Sequence, residues 1–156
     1  MKYETARFGS LEIQDQDILV FPDALYGFDQ EKEFALLPLD PTIESPMEWL
    51  QSLTSRELAF IVTDPFLFIP EYKMVLSDSE QTQLGIESME SVVVRVIVTI
   101  PKVHTEMTAN LVAPIVINQK KGLAKQVVLT NAEYDTKHSL MSKKKIKKHP
   151  EKILIF

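Results

Sequence analysis

The sequence predicts an all-β, mainly antiparallel fold: a β-barrel-like or sandwich domain of about eight or nine short strands with one or two short helical segments. Three observations lead there. Runs of β-branched and aromatic residues recur along the 156 residues, the longest being Ser91-Val92-Val93-Val94-Arg95-Val96-Ile97-Val98-Thr99-Ile100; such side chains crowd a helix and suit a pleated sheet. Prolines and polar turn formers punctuate those runs, and strands that follow one another without intervening helices pair antiparallel. Only one segment, Ser77-Asp78-Ser79-Glu80 with Gly85 beyond it, carries both start and stop signals of a helix.

Taken in order, residues 2–8 alternate loosely, break at Gly9 and resume at Leu11-Glu12-Ile13, which predicts a hairpin. Ile18 to Phe21 and Glu33 to Leu39 are short strands stopped by Pro22 and Pro41. Between them, Asp23 to Phe28 mixes turn formers with two aromatics, a loop held to the body by its rings. Pro46 to Leu53 reads as a helical turn opened by proline, too short to stand alone. Leu58 to Val62 and Phe66 to Leu76 read as strand, bend at Asp64-Pro65, strand. The capping box and Gly85 place a helix over 78–84. Ser91 to Ile100 is the strongest strand, ended by Pro101, and Thr108 to Ile117 and Gln126 to Thr130 form a last pair, joined through the polar stretch Asn118 to Gly122.

Composition narrows the function. No Pro/Gly/Ser-rich linker occurs, so one domain is expected over residues 1–141, followed by a lysine-rich C-terminal tail, 142–156, expected as a flexible end. Cysteine is absent, which excludes disulfides, thiolate catalysis and cysteine-ligated metals. No signal-peptide core and no apolar run of membrane-spanning length occurs, so a cytoplasmic protein is expected. The net charge of −5 conceals an asymmetry: residues 1–141 hold 11 Lys/Arg against 21 Asp/Glu, a net of −10, while the tail holds six lysines and one acid. An acidic body repels nucleic-acid phosphate and suits a basic partner, although solubility alone also accounts for such charge.

Catalytic and cofactor signatures are missing. Glycines at 9, 27, 85 and 122 assemble no phosphate-cradling loop, and His104, His138 and His149 form no ligand pair. No G-x-S-x-G elbow is present, and carboxylate pairs such as Asp15/Asp17 or Asp78/Glu80 also describe any exposed strand face or helix start. No enzyme activity, cofactor or metal is expected. Binding is the remaining role. Asp64-Pro65-Phe66-Leu67-Phe68-Ile69-Pro70-Glu71-Tyr72 fills both faces of a proline-flanked strand with apolar groups, as either a doubly buried strand or an edge with anchors for a partner. Asn110 and Asn118 bracket a second apolar run in which Pro114 marks a bulge or an edge. The tail, Lys143 to Phe156, admits three readings: a solvated end, an arm folded onto the acidic body, or a contact with nucleic acid or anionic lipid.

Six motifs in order then become informative together. Thr5-Ala6-Arg7-Phe8-Gly9, Phe21-Pro22 with Tyr26-Gly27-Phe28, Trp49 to Leu53, Leu58-Ala59-Phe60 leading into Asp64 to Phe68, Val98 to Pro101, and Met107 to Asn118 resemble the FliW family of flagellar assembly factors. The likeness runs from about Thr5 to His138 and leaves the tail outside. It implies a cytoplasmic, non-enzymatic barrel-like protein, monomeric on its own, that binds two proteins, flagellin and the translational repressor CsrA. By holding CsrA off the flagellin message it would switch partners as flagellin accumulates. The resemblance favours allosteric inhibition of CsrA over mimicry of RNA, and no direct nucleic-acid or membrane contact is expected. Candidate contacts are Asp64, Pro65, Phe66, Phe68, Glu71, Tyr72, Asn110, Pro114 and Ile115, with Asp64 and Glu71 as a carboxylate rim. A ligand-binding β-barrel and an RNA-binding module acting through the tail are the alternatives.

Overall fold

The structure is a computed structural model that describes residues 1–130, 133–141 and the short strand at 154–155. The chain opens with a hairpin, β1 (Lys2–Thr5) and β2 (Gly9–Glu12). Thr5 closes it: the hydroxyl donates to the Gly9 carbonyl and accepts from the Phe8 amide, both at 2.9 Å. Then come β3 (Leu19–Val20), β4 (Glu33–Pro38), β5 (Met47–Ser52), β6 (Ala59–Thr63), β7 (Val75–Leu76), α1 (Asp78–Leu84), β8 (Val92–Thr99), β9 (Thr108–Ala109), β10 (Ile115–Asn118), β11 (Leu123–Gln126), β12 (His138–Ser139) and β13 (Leu154–Ile155).

Nine of these form one sheet in the order β10-β11-β3-β4-β5-β6-β8-β9-β12, and a further pairing of β10 with β8 closes its first seven into a barrel. All pairs in it are antiparallel except β11 with β3. The expected all-β, barrel-like class is what forms. Closure gives each of those seven strands a neighbour on both sides, with the shortest seam at β3, which meets β4 only at Glu33 and Phe34 and β11 only at Leu123.

Two apolar cores flank the wall that β8 and β10 build. Phe21, Leu25, Phe34, Leu50, Val62, Ile115 and Ile117 fill the barrel. Its rings meet edge to face, Phe21 on Phe34 at 5.2 Å and Phe28 on Phe60 at 5.1 Å, so Phe28 does pin the 23–28 loop. Tyr26 instead stays 65% exposed, and its amide is held by the Gln126 side chain at 3.0 Å. Outside the wall, Val94, Val96, Val98 and Val116 pack beneath Phe66, Tyr72, Met74, Leu76, Leu84, Leu111 and Leu140. β8 therefore buries one face fully in the outer core and the other partly against the barrel core, which explains its near-continuous β-branched run.

Four sequence expectations change. Residues 46–53 are strand β5 rather than a helical turn: β4 and β6 pair with it on both sides, directing Leu50 inward while Trp49 turns outward under the Arg7 guanidinium, 3.9 Å from the ring centroid. Tertiary pairing overrides a weak local signal there. Residues 66–76 are not one strand. Asp64 accepts from the Phe66 amide at 2.9 Å and caps a tight 3-10 turn over Pro65–Leu67, and only Val75–Leu76 is extended in a ladder.

The expected strand 108–117 is β9 and β10 separated by three extra residues. Partner numbers across β8 shift from Val98↔Ala109 to Arg95↔Ile115, and the Asn110 side chain holds the excursion by accepting from the Val112 and Ala113 amides at 3.2 and 3.1 Å. Pro114 thus sits in a bulge. The last strand lies at 123–126 rather than 126–130, because the turn closes as soon as Gly122 reaches a positive φ of 65°. The hairpin 2–12, the helix at 78–84 and the turn after Asn118 form where expected. The tail expected over 142–156 lies outside the described residues save for β13, which pairs in parallel with β7.

Candidate functional site

One end of the barrel is unusually acidic and open. There β4 passes into β5 through residues 39–46, β6 ends at Thr63, and Arg95 of β8 sits beside Val96, which pairs with Thr63. The 39–46 connection carries Pro41 and Pro46, which cannot donate to a ladder and so keep it off the sheet. It overhangs a cavity of about 650 Å³ bounded also by Glu48, Asp64, Leu67 and Arg95.

Along β8, Arg95 falls in step with Val93 and Ile97, which border the barrel core, so a cation is turned toward the barrel side. It is compensated there. Its Nε donates to Glu48 Oε1 at 2.6 Å, with the side chains only 19% and 30% exposed, and its Nη1 donates to the Val94 carbonyl at 2.9 Å. A pair so shielded holds its geometry in salt better than a surface pair does.

The pair neutralises Glu48, and the other carboxylates of the cavity, Asp40, Glu44 and Asp64, remain in excess. Asp40 is held below the usual carboxylate range by the Thr42 hydroxyl and then the Thr42 amide, which donate to it at 2.7 and 2.9 Å. It stays ionised through mild acid. Beside these charges stand Ile43 and Leu67, 63% and 54% exposed. The surface is thus a concave acidic site with two apolar posts, suited to a segment that presents lysine or arginine next to aliphatic groups.

The sequence-predicted contacts distribute unevenly. Asp64 lines the cavity; Pro65 and Phe66 are buried behind it and build the turn that presents Leu67. Phe68 packs half-buried against the outer core, and Glu71 is exposed. Tyr72 is fully buried: its hydroxyl donates to the Leu111 carbonyl at 2.7 Å and its ring lies 4.8 Å from that of Tyr134. Asn110 shapes the excursion before β10, Pro114 is buried, and Ile115 lies inside the barrel at 0% exposure. The structure therefore joins 64–72 to 110–115 through Tyr72 and Leu111, as scaffold.

Sequence reading missed Asp40, Ile43, Glu44, Glu48 and Arg95. One signal for them existed, the lone arginine in an otherwise apolar strand. The loop itself was hidden by the helical reading of 46–53.

Among the described residues no cluster of three His, Asp or Glu side chains is able to hold a metal, and no helix is long and apolar enough to cross a membrane. Fold and site together define a small closed β-barrel with an open acidic mouth. A family model described as FliW protein matches residues 2–140, and the chain belongs to that family, the flagellar assembly factors FliW. It is 41% identical over 151 residues to the flagellar assembly factor FliW of Desulfitobacterium hafniense (strain Y51), covering 97% of this chain and 98% of that one. The Bacillus subtilis (strain 168) FliW is 41% identical over 140 residues, 90% of this chain and 96% of that one. A crystal structure of the flagellar assembly factor FliW superposes with a TM-score of 0.84 at 42% identity, covering 92% of this chain and 99% of that chain.

Proposed function

We propose that this flagellar assembly factor works in the cytoplasm without catalysis, by binding flagellin and CsrA in turn, and that the acidic cavity beneath the 39–46 loop receives CsrA. Family membership across residues 2–140 carries the reading. CsrA must be basic to hold RNA phosphate, and complementary charge speeds encounter while suppressing wrong pairings. The cavity supplies that complement with Asp40, Glu44 and Asp64, and Ile43 and Leu67 supply apolar contact at its rim. Glu71 is exposed, but it does not line this cavity and lies near Tyr134 in the outer layer. Flagellin's terminal segments are amphipathic and need an apolar surface; in this reading the posts Ile43 and Leu67 serve them too, which makes the two partners compete.

Calorimetric titration with purified CsrA tests the assignment. The Glu44→Lys variant, which leaves the Asp64 cap in place, is expected to lose at least fivefold in affinity at low salt with an unchanged thermal transition, and affinity within twofold of the parent chain rejects the cavity as the CsrA site. Adding flagellin to the preformed CsrA complex is expected to release CsrA; a stable ternary complex rejects the exchange.

A further inference from the structure

The C-terminal residues after 140 fall outside the stretch that the family model matches, and the function proposed above makes no use of them. The structure nevertheless returns the end of the chain to the body. β13 lies parallel to β7, with Leu154 opposite Val75 and Ile155 opposite Leu76. Among the described residues β13 is the sole strand neighbour of β7, which stands apart from the closed barrel sheet. Across from β7 runs the extended segment 127–130, and a slot of about 390 Å³ separates the two, lined by Lys73, Met74 and Val75 on one side and by Val128 and Leu129 on the other. The Val127 and Leu129 amides donate away from the slot, to the Pro114 and Val112 carbonyls at 2.9 and 2.7 Å. Amides alternate along an extended chain, so that of Val128 turns to the opposite edge.

We infer that the edge of β7, which borders this slot, is a strand-addition site and that its resident occupant is the chain's own C-terminal segment at Leu154–Ile155. Pairing to an unpartnered edge provides affinity through the backbone, and apolar side chains at alternate positions provide selectivity. The sequence suits that role: residues 153–156 read Ile-Leu-Ile-Phe and follow a stretch with six lysines and one acid, while the body they rejoin has a net charge of −10. The first turn of α1, just after β7, adds Asp78 and Glu80 beside the pairing site. A segment tethered in this way meets its site at an effective concentration on the order of millimolar. For an intrinsic Kd of about 0.1 mM, the β7 edge is then closed to the same peptide offered in trans by roughly tenfold.

Amide hydrogen exchange on the full chain and on the Leu154→Pro/Ile155→Pro variant tests this, because proline removes the donors and breaks the pairing. Exchange over residues 74–77 is expected to quicken at least tenfold in the variant, with β8 and β10 unchanged; equal exchange over 74–77 overturns the inference. A fluorescent peptide of residues 142–156 is expected to bind the variant about tenfold more tightly than the parent chain. Equal binding, or none to the variant, likewise overturns it. If the prolines also loosen β8 and β10, Leu154→Asp/Ile155→Asp keeps the backbone donors and is held to the same two expectations.

Discussion

Tyr72 ties the outer layer of the protein to the barrel wall. Its ring packs with Phe66 and Tyr134, and its hydroxyl reaches the Leu111 carbonyl. The sequence left Tyr72 open as a partner contact or as core; full burial places it in the core. Tyr72→Ala is therefore expected to destabilise by about 3–5 kcal/mol, and Tyr72→Phe, which loses only the hydrogen bond, by about 1 kcal/mol, both read from urea unfolding. Burial, and next the neighbouring Tyr134, raise the Tyr72 phenol above its ordinary value of 10.0, and burial raises Tyr134 as well. Above pH 10 the unfolded chain releases these protons while the folded chain still holds them, so folding loses stability as pH rises. A thermal midpoint that falls from pH 10 upward, less steeply in Tyr72→Phe, is the expected record. Gly122 is constrained differently: its φ is 65°, and a Cβ would lie 2.8 Å from the Ile18 carbonyl oxygen. Gly122→Ala should cost about 1–3 kcal/mol.

The helix α1 shows a local signal and a remote one acting on the same element. Ser77 accepts from the Glu80 amide at 3.1 Å while Glu80 accepts from the Ser77 amide at 2.9 Å, and Gly85 ends the helix in the left-handed region. These residues are neighbours in the chain, so start and stop were readable in advance. The helix has only seven residues and would not persist alone. Asn118, 34 residues away, donates to the Leu84 carbonyl at 2.8 Å and also to that of Gly85, anchoring the end of the helix to β10. No sequence pattern announces that contact. Ser77→Ala is expected to cost about 1 kcal/mol, and Asn118→Ala about 1–3 kcal/mol because buried carbonyls lose their donor; denaturant midpoints would order the two variants. β5 makes the converse point. Proline at 46 and a short apolar run gave a helical reading, and two flanking strands decided otherwise.

For the molecule as a whole, charge is the property that connects fold to proposed role. The body's net charge of −10 surrounds a cavity where Asp40, Glu44 and Asp64 outnumber the one arginine, itself paired with Glu48. If these carboxylates steer a basic partner, raising salt from about 0.05 to 0.5 M should slow CsrA association at least tenfold, because charges separated by more than a Debye length are screened. Stopped-flow association rates that stay flat across that range would show that contact at Ile43 and Leu67 governs encounter instead. The Glu48–Arg95 pair is expected to matter through shape: Arg95→Met removes a half-buried cation and leaves Glu48 uncompensated, so the thermal midpoint should fall before partner affinity does.

From residues alone came the β class, the hairpin at the start, the capped helix, the acidic body, the family and the absence of catalytic motifs, all of which rest on local spacing or on summed composition. Closure of the barrel was not visible, because it depends on β10 meeting both β8 and β11 across chain separations that no local pattern records. The same holds for the acidic cavity. Residues 40–48, 64–67 and 95 are ordinary polar and apolar positions along the chain until antiparallel pairing brings three strand ends to one mouth. Burial then separated scaffold from surface: Phe66, Tyr72 and Ile115 have the aromatic and aliphatic character of binding anchors, and packing turned all three inward. Hydrophobicity says that a side chain will leave water; only the arrangement of its neighbours says against what.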